Sequence, residues 1–215
     1  DAHLVVADKP HFLPVTPGGR YVRESLLVRL KQRLNLPDLS PLHRIDRETA
    51  GLVVFSVRPQ ERDAYQALFR DRRIHKTYHA VAAWRSDLAW PHTRRSHILE
   101  DEQAFYRMRE ARPEEGLAPN SETVVDLLER RGLNALYRLN PVSGKRHQLR
   151  VHMNGLGLPL RGDRFYPVVR HGPEEDGGFD DPLQLLAQHL AFEDPVTGEV
   201  RGFTSQRQLN PLPLA

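Results

Sequence analysis

The stretch PLHRIDRETAGLVVF, Pro41 to Phe55, sets five ionisable side chains, His43, Arg44, Asp46, Arg47 and Glu48, directly ahead of an apolar run. The run, GLVVFSV, has the length and composition of a strand. The charged residues before it admit two readings: an ordinary solvated turn, or an active site mounted on a rigid strand. The rest of the chain decides between them.

At 215 residues the chain can bury one large core or two smaller ones. Hydrophobic residues make up 39% and charged residues 27%, the balance of a folded globular protein rather than a disordered one. With no cysteine, a disulfide framework, thiolate catalysis and a cysteine zinc site are all excluded, which fits a reducing cytoplasm. No apolar run approaches a membrane span and no signal peptide opens the chain, so a membrane is not expected among its partners. The chain begins at Asp1 rather than Met, which leaves room for an accessory domain ahead of it.

A formal net charge of +3 barely favours a polyanionic partner. The distribution is more informative. Basic residues gather at Arg70, Arg72, Arg73, His75 and Lys76, at His92, Arg94 and Arg95, and at Lys145, Arg146, His147 and Arg150. Acidic residues Glu114, Glu115, Glu174, Glu175 and Asp176 fall in stretches rich in Gly and Pro that read as surface loops. Any one basic cluster reads as a solvated face; several together read as a surface for phosphates.

The elements alternate without an internal repeat. LVVAD reads as a strand ended by Lys9-Pro10, and ESLLVRLKQRL as a helix with Pro37 beyond its end. Pro59 opens a second helix, QERDAYQALFRDR, with Ala64, Ala67 and Leu68 on one face. KTYHAVAAW and ALYRL read as strands, and the polar middle from Arg85 to Asn120 as strands and loops. HQLRVHMNGLG is a short helix stopped by glycine, and HLAFEDPVTGEVRGFT a hairpin. The pattern is α+β rather than a regular βαβ repeat, with no linker that cuts residues 1–215 into independent domains.

Eleven histidines raise the question of a metal, but HExxH spacing is absent, and His147 and His152, five apart, would face different sides of a helix. No metal is expected. G-x-S-x-G, the Walker loop and G-x-G-x-x-G are also missing, so neither a hydrolase triad nor a nucleotide cofactor is expected. What remains is Asp46 and the distant basic segment SGKRHQLRVH. A nucleophilic carboxylate has to stay ionised in a water-poor site, and a paired arginine favours the charged form. The same residues would also suit a structural Asp–Arg pair between two subdomains. Lone histidines such as His43, His147 and His152 read as structural hydrogen-bonders, and Phe105, Tyr106 and Arg107 as surface-strand packing before base stacking.

HRIDRETAGLVVF resembles the HRLDxxTSG motif of the RluA-type pseudouridine synthases, which modify ribosomal and transfer RNA. NPVSGKRHQLRVHMNGLGLPLRGDRFY resembles their second signature, TGRxHQLRxHxxxxGxPIxGDxxY. VVADKPHFLPVTP, KTYHAVA and LLAQHLAFEDPVTGE are similar to their opening strand, K-x-Y-x-A strand and closing hairpin, in the same order along nearly the whole chain. Ile45, Ala50, Lys145, Phe12 and Pro167 depart from the pattern, which has Leu, Ser, Arg, Gly and often Gly at those places.

The resemblance implies a mixed, largely antiparallel sheet in two halves with flanking helices and a central RNA-binding cleft, working on rRNA or tRNA without a cofactor. It implies that Asp46 is the catalytic aspartate, that Arg150 pairs with it, and that Tyr78 stacks on a flipped uracil. Arg44 would enter the RNA helix where the base leaves, with Lys145, Arg146, His147 and Gln148 also on the substrate. Two other functions suit the same residues. A non-catalytic RNA-binding module would use the basic cleft, although a carboxylate there would only repel RNA. A glycosylase would cleave with Asp46 and not rejoin.

Overall fold

The computed structural model describes residues 1–19, 21, 23–170, 172 and 178–210; Glu174, Glu175 and Asp176 lie outside the described residues. The first half of the chain forms β1 (Leu4–Lys9), α1 (Leu26–Leu34), β2 (Ser40–Pro41), β3 (Ala50–Ser56), α2 (Arg62–Arg70) and β4 (His75–Ala83). Then follow β5 (His92–Ser96), β6 (Ile98–Asp101), β7 (Ala104–Glu110), β8 (Ser121–Arg131), β9 (Asn134–Pro141) and α3 (Gln148–Gly155). A hairpin of β10 (Leu185–Glu193) and β11 (Val200–Thr204) comes last. Strand pairing is mixed and largely antiparallel, as expected of the α+β class.

Two compact units divide the chain: the first is Asp1–Lys76 with Leu186–Gln208, and the second is Thr77–Leu185 with Leu209 and Asn210. The boundaries fall inside β4 and at the start of β10. Strands carry no linker composition, which is why the division is invisible in the sequence.

In the first unit β3 is buried over its whole length. Successive side chains of a strand face opposite sides. Leu52 and Val54 therefore enter one cluster, with Leu4, Tyr65, Leu68 and Ile74, while Val53 and Phe55 enter another, with Val15, Leu26 and Leu39. Tyr65 and Leu68 come from α2, and Leu26 from α1. Each fully buried large apolar side chain is worth about 1.5–3 kcal/mol, so apolar packing on both faces holds β3 against movement either way.

Along its edges β3 is antiparallel to β1, from Leu4 opposite Ser56 to Lys9 opposite Gly51, and parallel to β10, with Ala187 opposite Gly51. Gly51 has φ of 108°, and a Cβ there would lie 2.3 Å from the Ala187 carbonyl oxygen. Only glycine fits both the backbone angle and that approach.

α1 begins where the Ser25 hydroxyl accepts the Val28 amide and ends at Asn35, in the left-handed region. α2 departs from the expected inward face. A 3₁₀ turn, Pro59–Glu61, precedes it, and Tyr65 is fully buried beside Ala67 and Leu68, whereas Ala64 is half-buried. The Tyr65 hydroxyl donates to Asp194 at 2.9 Å, so the large ring can be buried with its polar end satisfied.

In the second unit β4, β9, β8 and β5 form an antiparallel sheet in that order, and β6 pairs with β7 in a separate hairpin. Tyr137, Leu139, Leu149, Met153 and Leu158 lie in its core. α3 is buried from Gln148 through Met153. His152, fully buried, fastens it to the sheet: Nδ1 lies 2.9 Å from the Thr123 hydroxyl, and Nε2 lies 3.0 Å from the hydroxyls of Ser96 and Ser121. Thr123 accepts from the Gln148 amide and Ser121 donates to the Ser96 carbonyl, which fits a neutral imidazole protonated on Nε2.

Replacing Gly51 with Ala should destabilise the protein by about 3 kcal/mol or more, read by urea denaturation, because strain and a backbone clash coincide. A second outcome concerns pH. Burial pulls His152 from 6.5 down to about 4, with Glu110 opposing and Arg94 reinforcing. As pH falls through that window the unfolded chain takes up a proton that the folded chain refuses, so stability declines from pH 6.5 toward 4. The His152 part of the decline is at most about 3 kcal/mol and should vanish in His152→Gln, measured by denaturation across the window.

Candidate active site

The turn before β3 is held by its backbone. The Asp46 carbonyl accepts the Thr49 amide at 3.1 Å, and the Arg47 carbonyl accepts the Lys9 ammonium at 3.1 Å. The Glu48 carbonyl lies 2.6 Å from His11 Nδ1. Lys9 is fully buried and also donates to the Pro10 carbonyl at 3.0 Å. Burial pulls its pKa down to about 7, with the Glu48 and Asp46 carboxylates pulling the other way. His43 turns inward, its Nε2 accepting the Val54 amide at 3.2 Å and its ring stacking on Phe69 at 4.7 Å. Burial, with a smaller effect of Lys76, draws it down to about 3, so it is neutral at physiological pH.

Asp46 itself is half-buried and Arg44 exposed. Arg47 is drawn aside: its Nε donates to Glu48 at 3.0 Å, its guanidinium sits 5.2 Å over the Tyr21 ring, and it hydrogen-bonds the Tyr21 hydroxyl. The turn therefore presents a carboxylate at one position and an exposed cation two positions earlier.

The other expected residues belong to the second unit. Tyr78 is half-buried on β4, opposite Leu139 of β9, and its ring packs on the core cluster that contains Leu149. Lys145 and Arg146 are exposed just before α3, and Arg146 donates to the carbonyls of Phe105 and Tyr106 at 3.3 and 3.0 Å. Gln148 is buried and its amide is used internally, donating to Glu122 and Thr123 and accepting from Ser143 and the Lys145 amide. Its contribution is to shape the loop that carries Lys145 and Arg146. His147 is buried as well, with Nδ1 3.1 Å from the Tyr166 hydroxyl.

Arg150 is 1% exposed, and Asp163 grips it with both oxygens, Nε at 2.8 Å and Nη2 at 2.7 Å. Asp163 also accepts the amides of Phe165 and Tyr166, and the guanidinium lies 5.0 Å from the Phe165 ring. The sequence reading gave Asp163 no role, although it stands in the GDRFY end of the second signature. Tyr166 completes this shell: its hydroxyl accepts the Met108 amide and donates to the Met108 carbonyl, both at 2.9 Å.

Several cations counted earlier toward a phosphate surface are engaged within the protein. Arg94 pairs with Glu110 and Arg95 with Glu122. Glu115, expected in a loop, lies in a 3₁₀ turn and pairs with Arg109. Phe105 is 78% exposed, whereas Tyr106 packs on Phe165 at 5.3 Å and Arg107 lies 5.0 Å over Tyr166. Among the described residues no cluster of three or more His, Asp or Glu is placed to hold a metal, and no helix is long and apolar enough to cross a membrane.

A family model described as RNA pseudouridylate synthase matches residues 3–155. A dual-specificity RNA pseudouridine synthase RluA of Pasteurella multocida is 31% identical, over 95% of this chain and 90% of its own. The human pseudouridylate synthase RPUSD2 is 32% identical over 87% of this chain, which spans only 35% of that longer protein. Among solved structures, human RNA pseudouridylate synthase domain containing 1 superposes with a TM-score of 0.76 at 23% identity, over 96% of this chain and 81% of its own.

Asp163→Ala should cost about 3–5 kcal/mol in chemical denaturation, since it leaves the buried Arg150 cation without its bidentate partner. A loss below about 1 kcal/mol would mean that Arg150 does not depend on Asp163.

Proposed function

This chain belongs to the RNA pseudouridylate synthase family, and on that premise we propose that Asp46 is the nucleophile that acts on a uridine flipped out of structured rRNA or tRNA. The observation that carries the reading is a half-buried carboxylate on a turn whose Asp46, Arg47 and Glu48 carbonyls are held, at the mouth of a strand packed on both faces. Precision of this kind suits a group that must meet one atom of a substrate.

The chemistry is an isomerisation. The N1–C1′ bond of uridine breaks, the base turns, a C5–C1′ bond forms, the C5 hydrogen leaves to water and N1 takes up a proton. Oxidation state does not change and no energy input is needed, so the reaction makes no demand for a cofactor or metal. Extruding a stacked base costs a few kcal/mol. Arg44, exposed beside the nucleophile, would fill the gap in the helix, and Tyr78 would stack on the extruded ring, a contact worth roughly 1–3 kcal/mol. Arg150 would keep the nucleophile charged and aimed. Lys145 and Arg146 would meet phosphates.

RNA labelled with tritium at C5 of uridine should release label to water in the presence of chelator. Asp46→Asn should abolish that release while RNA affinity stays within a few-fold, because the change removes a nucleophile and no phosphate contact. Release within tenfold of the wild-type rate would remove Asp46 from this role. Cleavage without rejoining would yield free uracil, the mark of a glycosylase.

A further inference from the structure

Three consecutive carbonyls, those of Asp46, Arg47 and Glu48, are held in the first unit, and two of their donors are side chains at the end of β1 and just beyond it. Lys9 donates to Arg47 from a fully buried position, and His11 reaches Glu48 two residues further on. We propose that His11 is a positioning residue for Asp46, fixing the carboxylate by holding the carbonyl of Glu48. The proposal rests on the reading of Asp46 as nucleophile.

The direction of the bond follows from its partner. A carbonyl oxygen only accepts, so Nδ1 of His11 carries the hydrogen. Burial holds the imidazole below its usual pKa, the bond to Glu48 opposing and the nearby Lys9 and Arg207 charges reinforcing, so the ring donates in its neutral form. Phe12, directly after it, takes φ of 64°, the left-handed region that favours glycine. A bulky residue holds that backbone shape here, and its ring lies 6.1 Å from that of His11, a contact glycine could not make.

A donor lost at Glu48 leaves Asp46 with its backbone less constrained and its side chain unchanged. The cost should fall on turnover more than on RNA binding, since no contact with RNA is removed. Asparagine can place an amide N–H close to where Nδ1–H stood, so His11→Asn tests the donor itself; His11→Phe keeps the ring and removes the donor.

The experiment measures single-turnover tritium release and RNA affinity for His11→Ala, His11→Phe and His11→Asn, beside Asp46→Asn, with thermal melts to confirm folding. The expected result is a loss of about tenfold in rate for Ala and Phe with affinity within about twofold, and recovery to within about threefold of wild type for Asn. If Ala does not fold, the comparison of Phe with Asn decides. Wild-type turnover in Ala or Phe, or an equal loss in all three variants, would overturn the proposal while leaving the nucleophile in place. An active Asp46→Asn would overturn both readings.

Discussion

Burial of β3 on both faces is the constraint on which the candidate site depends. From Ala50 to Ser56 every residue is buried, one alternate set packed under α2 and the other under α1. Gly51 lets β10 approach to a distance that no other residue would permit. The turn from His43 to Thr49 enters this strand directly, and the carbonyls of Asp46, Arg47 and Glu48 are tied to its own Thr49 amide, Lys9 and His11. A carboxylate mounted there is fixed by packing energy spent some distance from it.

Two aspartates illustrate how environment assigns roles. Asp163 is nearly devoid of exposure and all of its capacity goes to Arg150 and two backbone amides. Such a group keeps a cation in place, and removing it takes a bidentate grip from a charge in a dry interior. Asp46 retains surface exposure. Basic residues divide in the same way: Arg150 serves a buried ion pair and Arg94 a partly buried one, Arg95 is tied to Glu122 at the surface, and Arg44, Lys145 and Arg146 are exposed. Counting cations along the chain overstates the surface offered to phosphates.

β1, α1, β3 and the final hairpin were legible because apolar periodicity and turn residues agree with their tertiary setting. β8 was not. Its outer half, with Glu129, Arg130 and Arg131, is exposed and polar, and it is a strand because β9 lies alongside it. The inward face of α2 was misplaced because Tyr65 is buried only by virtue of Asp194, far along the chain. Asp163 was present in a quoted signature, but its grip on Arg150 depends on a loop folding back over α3. The service of Lys9 and His11 to backbone carbonyls leaves no mark in residue types. Family membership, by contrast, was readable from motifs, because the motifs are themselves records of these constraints.

We propose that the protein alone isomerises uridine within RNA. The most direct measurement is a nucleoside balance: unmodified rRNA and tRNA are incubated with the purified protein and chelator, digested completely and separated by chromatography. Uridine lost should be matched mole for mole by pseudouridine gained, with no free uracil. Uracil in place of pseudouridine, or RNA bound and left unchanged across all substrates, would contradict the claim.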